Sequence, residues 1–95
     1  MTAYIIAEID VTDPARYEGY KQAAPAAVER YGGRYIARGG ETVVLEGSWK
    51  PKRVVLLEFP TLDAARAFHD SPEYRAAREK REGACDMRMI AVGGV

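Results

Sequence analysis

The segment Arg53–Pro60, RVVLLEFP, constrains the fold of this chain more than any other stretch. Four branched aliphatic residues in succession, with a basic pair before them and a proline behind, predict a strand that is buried on both faces. Glu58 lies inside this run. A buried carboxylate is unfavourable unless a partner or a proton neutralises it, so the fold must supply both a cover for the strand and a partner for Glu58.

Three further strands are predicted around this segment. They lie at 3–11, at 34–38 with a continuation at 41–46 beyond Gly39-Gly40, and at 85–92. The turn-like segment 47–52 would close a hairpin between the second strand and the opening one.

Two helical regions connect these strands. The first begins at Asp13-Pro14, and Pro25 predicts a kink or a local weakening near Ala24. The second begins at Thr61, restarts at Ser71-Pro72 and runs to about Glu82. The order β-α-β-β-α-β predicts one ferredoxin-like domain over residues 1–95. It has a four-stranded antiparallel sheet, central first and third strands, and both helical regions on one face.

Alternation of side chains along the strands divides this sheet into an apolar face and a mixed face. The apolar face should pack against the helices and comprises Ala3, Ile5, Ala7, Ile9, Tyr35, Ala37, Val55, Leu57, Phe59, Met87, Met89 and Ala91. The mixed face combines charged residues with Ile6, Ile36, Val54, Leu56, Ile90 and Val92. An apolar area of this extent is typical of an interface, so we predict a homodimer in which two mixed faces pack into a closed barrel.

Charged side chains on the mixed face are placed to pair across neighbouring strands. Glu58 can reach Arg34 or Arg38, and Glu8 can reach Arg88. A large aromatic residue in a loop tends to dock on a partner. The residues predicted at the dimer interface are therefore Glu8, Arg34, Arg38, Trp49 and Arg88.

Charge and cysteine content narrow the classes of partner. Fourteen basic residues balance fourteen acidic ones, which argues against nucleic acid and membranes as partners. The single cysteine, Cys85, cannot form an internal disulfide, and no signal-like segment begins the chain. We therefore expect a cytoplasmic protein.

Glu58 and His69 are the candidate catalytic residues. Glu58 could act as a general base, or it could be a structural ion-pair member at the interface. His69, the only histidine, could act as an acid or base or bind haem, or it could be an exposed residue beside a helix break. No metal-ligand spacing is present, so no metal and no cofactor is predicted.

Candidate ligand-binding residues are Tyr17, Tyr20, Tyr74 and Arg78. The first two belong to the buried stripe of the first helix, where a hydroxyl needs a partner and could line a cleft against the sheet. A cavity lined by His69, Tyr74, Arg78 and a tyrosine of the first helix would favour an enzyme.

Several short motifs together resemble the domain-of-unknown-function family 1330, which belongs to the dimeric α/β-barrel superfamily. They are Gly32-Gly33-Arg34-Tyr35, Arg38-Gly39-Gly40, Leu45-Glu46-Gly47-Ser48-Trp49, Glu58-Phe59-Pro60 and Ser71-Pro72-Glu73-Tyr74. The resemblance covers nearly the whole chain and implies a ferredoxin-like fold and a dimer. Superfamily relatives include cofactor-free monooxygenases, muconolactone isomerase-like proteins, haem proteins similar to chlorite dismutase and stress-responsive barrel proteins, so it implies no single activity.

Three functions remain open at this point. The first is binding of a small, partly apolar molecule in a cleft between sheet and helices. The second is cofactor-independent enzymatic activity of the monooxygenase or isomerase type. The third is a structural or stress-related assembly module.

Overall fold

The computed structural model describes all residues, 1–95, as a single sheet covered by helices. The elements are β1 Ala3–Val11, α1 Pro14–Arg30, β2 Arg34–Arg38, β3 Arg53–Phe59, α2 Leu62–Asp70, α3 Pro72–Lys80 and β4 Cys85–Gly93. All strand pairs are antiparallel, in the order β2-β3-β1-β4. The predicted ferredoxin-like arrangement, with β1 and β3 at its centre, is confirmed. None of the helices has the length and apolarity needed to span a bilayer.

The core lies between the helices and the predicted apolar face of the two central strands. Ile5 of β1 pairs with Leu57 of β3, and both are at most 5% exposed. Phe59 contacts Phe68 of α2 with ring centroids 5.1 Å apart, and Phe68 contacts Tyr74 of α3 at 4.4 Å. Burial of these aromatic side chains supplies much of the driving force that holds the helices on the sheet.

The break between α2 and α3 occurs at Ser71, as predicted. The Ser71 hydroxyl accepts a hydrogen bond from the Tyr74 amide at 3.0 Å and donates one to the Phe68 carbonyl at 2.7 Å. One buried side chain therefore both caps α3 and satisfies the end of α2. This arrangement fixes the position of Tyr74, which is fully buried.

Helix α1 continues through Pro25 as a single helix to Arg30. A proline has no amide hydrogen, so Pro25 cannot bond the carbonyl of Lys21 four residues earlier. The Arg38 guanidinium occupies that place, with Nη2 donating to the Lys21 oxygen at 2.7 Å. The local weakening expected near Ala24 is therefore limited to the helical hydrogen bond that Pro25 cannot form, and the Arg38 side chain replaces that bond.

A β-bulge in β2 corrects the predicted assignment of side chains to the two faces. Tyr35 pairs with Leu57, but Ala37 pairs with Leu56 and Arg38 with Val55, so Ile36 is an extra residue. The placement of Ala37 on the apolar face and of Arg38 on the mixed face is therefore wrong. Arg38 lies on the helix side, and the alternative pairing of Glu58 with Arg38 does not form.

The predicted continuation of β2 at 41–46 is also wrong. The predicted antiparallel pairing of β2 with β3 is confirmed, but a loop over residues 39–52 connects them instead of a turn at 47–52. Residues 39–52 contain no strand. A strand needs a hydrogen-bonding neighbour, and β3 already pairs with β1 on one side and β2 on the other. The segment around Val43 and Leu45 therefore cannot pair with β3, and these two residues are 73% and 90% exposed.

Candidate functional site

Four tyrosines meet between α1 and the sheet and form a cleft, here called the tyrosine cleft. Tyr17 and Tyr20 come from α1, Tyr35 from β2 and Tyr74 from α3. Helix α1 lies beside α3 along more of its backbone than beside any strand. Long side chains therefore fill the space between α1 and the sheet, which makes this the region where a ligand could be accommodated.

The floor of the tyrosine cleft is a buried hydrogen bond between two phenols. The hydroxyls of Tyr20 and Tyr74 are 2.7 Å apart, and the ring of Tyr17 contacts that of Tyr20 in a tilted arrangement with centroids 5.4 Å apart. Burial raises the pKa of Tyr17, Tyr20 and Tyr35, and for Tyr20 the nearby Tyr74 adds to the effect. These phenols are neutral at physiological pH, so their hydroxyls can both donate and accept hydrogen bonds.

The tyrosine cleft is narrow in this conformation. Its free volume is about 20 Å³, which is room for about one water molecule. Side chains at its rim, including Tyr35 and Arg38, are partly exposed, whereas Tyr20 and Tyr74 below them are buried. An organic ligand must therefore displace the rim side chains, and the buried pair would remain as the floor.

His69 lies in a second cavity, on the side of α2 that faces the edge strand β4. This cavity has a volume of about 210 Å³ and is lined by Ile5, Ala65, Arg66, His69, Asp70, Met89, Ile90 and Ala91. The Nε2 atom of His69 is 3.3 Å from Nη1 of Arg78, and its Nδ1 atom is 3.9 Å from the Asp70 carboxylate. Burial, with the charge of Arg78, lowers the pKa of His69. The imidazole is therefore mostly neutral at physiological pH and can accept a proton.

Tyr74 separates the two cavities, so the predicted site residues do not share one space. Its hydroxyl faces Tyr20, while its ring lies 5.6 Å from the His69 ring and 5.4 Å from the Arg78 guanidinium. The tyrosine cleft contains Tyr17, Tyr20 and Tyr74 but not His69. The predicted cavity combining His69 and Arg78 with a tyrosine of α1 is not present.

Glu58 and Glu8 lie on the mixed face with arginine partners. Glu58 accepts a hydrogen bond from Nε of Arg34 at 2.8 Å, and Glu8 accepts one from Nε of Arg88 at 3.0 Å. The Trp49 indole also donates to Glu8. Trp49 is nevertheless 60% exposed, so most of its surface is uncovered in the single chain.

Sequence reasoning missed three residues that line the tyrosine cleft: Tyr35, Arg38 and Arg53. The position of Arg38 depends on the bulge, which strict alternation does not include. Pro25 was the available signal, because a proline inside a helix leaves a carbonyl that needs a donor. No group of three or more His, Cys, Asp or Glu side chains is placed to hold a metal ion.

Comparison with solved structures places the fold among ferredoxin-like proteins. A protein of unknown function from Rhodopseudomonas palustris is 20% identical, with a TM-score of 0.79, covering 99% of this chain and 82% of that one. SnoaB, a cofactor-independent oxygenase from Streptomyces nogalater, is 15% identical, with a TM-score of 0.69 and coverage of 99% and 93%. A dimeric ferredoxin-like protein of unknown function from Thermobifida fusca is 22% identical, with a TM-score of 0.63 and coverage of 99% and 92%.

Comparison with curated proteins gives no match. The model of the family described as Domain of unknown function (DUF1330) matches residues 2–95, nearly the entire chain. The chain therefore belongs to the DUF1330 family.

Proposed function

We propose that the protein binds a small, partly apolar molecule in the tyrosine cleft. The convergence of Tyr17, Tyr20, Tyr35 and Tyr74 on one narrow space supports this function. Phenol rings offer flat apolar surfaces, and their neutral hydroxyls offer hydrogen bonds that can orient a ligand. Binding of this kind needs neither a metal nor a cofactor.

We also propose that two chains form a homodimer through their mixed faces. In the single chain this face leaves Ile36, Ile90 and Val92 between 44% and 62% exposed, and the loop 39–52 leaves Leu45 still more exposed. A second subunit would cover both surfaces and could give the loop the strand partner that it lacks. The Thermobifida fusca neighbour is described as dimeric, which supports this assembly.

We also propose a cytoplasmic location, because the single cysteine leaves the chain without an internal disulfide.

Calorimetric titration with the neutral aromatic probe 2-naphthamide tests the binding function. We expect a dissociation constant below about 1 mM, within the range for a ligand of this size. Ala24, 1% exposed and part of the cleft lining, provides the blocking variant: Ala24→Leu should weaken binding. Ala76→Leu, on the exposed side of α3, is the matched control. Absence of binding of both this probe and 2-naphthoate, which has the same shape, to the wild-type chain would refute the proposed function.

A second candidate function is a cofactor-independent enzyme that uses His69. It is supported by the lowered pKa of His69, by its adjacent cavity and by the fold shared with SnoaB. Glu58 is the less favoured base, because its Arg34 partner holds it on the mixed face and it lines neither cavity. If a bound ligand reaches His69, addition of 2-naphthamide will shift the imidazole proton resonances. Unchanged resonances at saturation would show that a ligand of the tyrosine cleft does not reach His69, which would contradict this second function.

A further inference from the structure

All charged side chains that line the tyrosine cleft are cationic. They are Lys21, Arg38 and Arg53, and neither aspartate nor glutamate lines the cleft. The remaining lining is apolar or tyrosine. A cleft with charge of one sign and poorly polarisable walls concentrates its field, which favours a ligand of opposite charge.

The two arginines of the cleft have no carboxylate partner. The ion pairs that arginines make elsewhere in the chain involve Arg30, Arg34 and Arg88. Arg38 donates to the Lys21 carbonyl, which is neutral. The Nε atom of Arg53 is buried without any hydrogen-bond partner. A buried donor without an acceptor is unfavourable, so a ligand oxygen placed there would be stabilised.

Aromatic faces hold these cations beside the cleft. The Arg53 guanidinium carbon lies 5.8 Å from the Tyr17 ring centroid, and that of Arg38 lies 4.6 Å from the Tyr35 centroid. Outside the cleft lining, the Arg81 guanidinium carbon lies 5.1 Å from the Tyr20 centroid, and its Nε is also buried without a partner. Attraction to the aromatic faces holds these cations in place without neutralising their charge, so their remaining N–H groups can donate to oxygen atoms of a ligand.

A glycine makes room for the Arg53 guanidinium. Gly39 has φ +72°, which favours glycine, and a Cβ atom at this position would collide with the Arg53 guanidinium. The bend after β2 therefore favours a residue without a side chain, and the Arg53 guanidinium packs against that residue.

We infer that the ligand of the tyrosine cleft is a small aromatic carboxylate. Its ring would lie among the tyrosines, and its carboxylate would accept hydrogen bonds from Arg38 and Arg53. Planar guanidinium groups bind carboxylates through paired hydrogen bonds, which matches this ligand class. The inference rests on the proposed binding function and adds the charge of the ligand to it.

Calorimetric titration with 2-naphthoate and 2-naphthamide, which have the same shape but differ in charge, tests the inference. We expect 2-naphthoate to bind from about tenfold to about a hundredfold more tightly, as for hydrogen bonds to a charged group. Arg53→Met and Arg38→Met keep the apolar stem and should each abolish most of this preference. Arg75→Met removes one exposed positive charge from α3 and is the control, which should retain the preference.

The outcomes separate the inference from the function on which it rests. Equal affinity for the two probes would overturn the carboxylate inference and leave the proposed binding function standing. Binding of neither probe would overturn both. The comparison of the two affinities on the wild-type chain tests the carboxylate inference even if an arginine variant fails to fold. A preference that Arg38→Met and Arg53→Met leave intact would also contradict the inference.

Discussion

The Nη2 atom of Arg38 lies 2.7 Å from the carbonyl oxygen of Lys21 and donates the hydrogen bond that Pro25 cannot supply. This contact joins the interior of α1 to the end of β2 at the rim of the tyrosine cleft. It also holds Arg38 on the helix side of the sheet. One proline in α1 and one bulge in β2 therefore determine where a cation of the candidate site lies.

A double-mutant cycle between Pro25→Ala and Arg38→Met measures this coupling. In the wild-type background, Arg38→Met should lower the free energy of unfolding by about 1 kcal/mol, because it leaves the Lys21 carbonyl without a donor. In the Pro25→Ala background the helix supplies that donor, so the same change should cost about 0.3 kcal/mol or less. Urea denaturation at one fixed protein concentration provides the four values. An equal cost in both backgrounds would show that the two residues are independent.

The proposed homodimer predicts a strong effect of a charge at Ile90. This residue is 62% exposed in the single chain, so Ile90→Lys should hardly disturb an isolated subunit. In a dimer it would place a lysine within the apolar centre of the interface and favour dissociation. Sedimentation equilibrium at micromolar concentration should give the wild type twice the 10.5 kDa mass of the chain and the variant a lower mass.

Ala76→Lys adds the same charge on the exposed side of α3 and serves as the control for this experiment. It should sediment like the wild type. A wild-type chain that sediments as a monomer would contradict the assignment of the mixed face as an interface.

The contact between Trp49 and Glu8 predicts a fluorescence change at acidic pH. The hydrogen bond from Trp49, together with those from Arg88, lowers the pKa of Glu8. The carboxylate therefore stays charged down to a pH below the usual glutamate value of about 4.3. Because Trp49 is the only tryptophan, its emission should change as pH falls through this lower range and the contact is lost.

Glu8→Gln should remove this transition, whereas Glu58→Gln, on the same face, should preserve it. The folded-state pKa of Glu8 lies below its unfolded value, so its stabilising contribution is present above the unfolded pKa and declines as pH falls. Persistence of the transition in Glu8→Gln would assign it to another group.

His69 predicts a second, separate dependence of stability on pH. Its pKa is lowered in the folded chain, because burial and then the charge of Arg78 disfavour the imidazolium. The unfolded chain therefore binds more protons, and stability declines as pH falls below the usual histidine value of about 6.5. Thermal unfolding of His69→Gln should depend less on pH between about 5 and 7 than that of the wild type. A pH dependence as steep as that of the wild type would show that His69 contributes nothing.

The sequence predicted the central strands and the helix caps well because those features depend on local patterns. The alternation around Leu57 identified the core face, and Ser71-Pro72 identified the start of α3. The bulge at Ile36 could not be predicted in this way, because an extra residue in a strand has no signature in the types of residue present. It nevertheless moves every later side chain of the strand to the opposite face of the sheet.

The candidate site was predicted only in part, for the same physical reason. Tyr17 and Tyr20 were found from their spacing on α1, and Tyr74 from the cap before it. Arg53 was not found, because its guanidinium reaches the cleft through packing against Gly39, a tertiary contact that strand alternation does not show. The segment around Val43 was predicted as a strand from β-branched residues alone, although strand formation also requires a partner.

Mapping of amide chemical shifts during titration with 2-naphthoate shows whether the ligand binds in the tyrosine cleft. We expect the largest changes at Tyr17, Tyr35 and Arg38, which line the cleft, and we expect Arg53→Met to need a higher 2-naphthoate concentration to produce them. Changes confined to the His69 cavity, around Arg66 and His69, would contradict it.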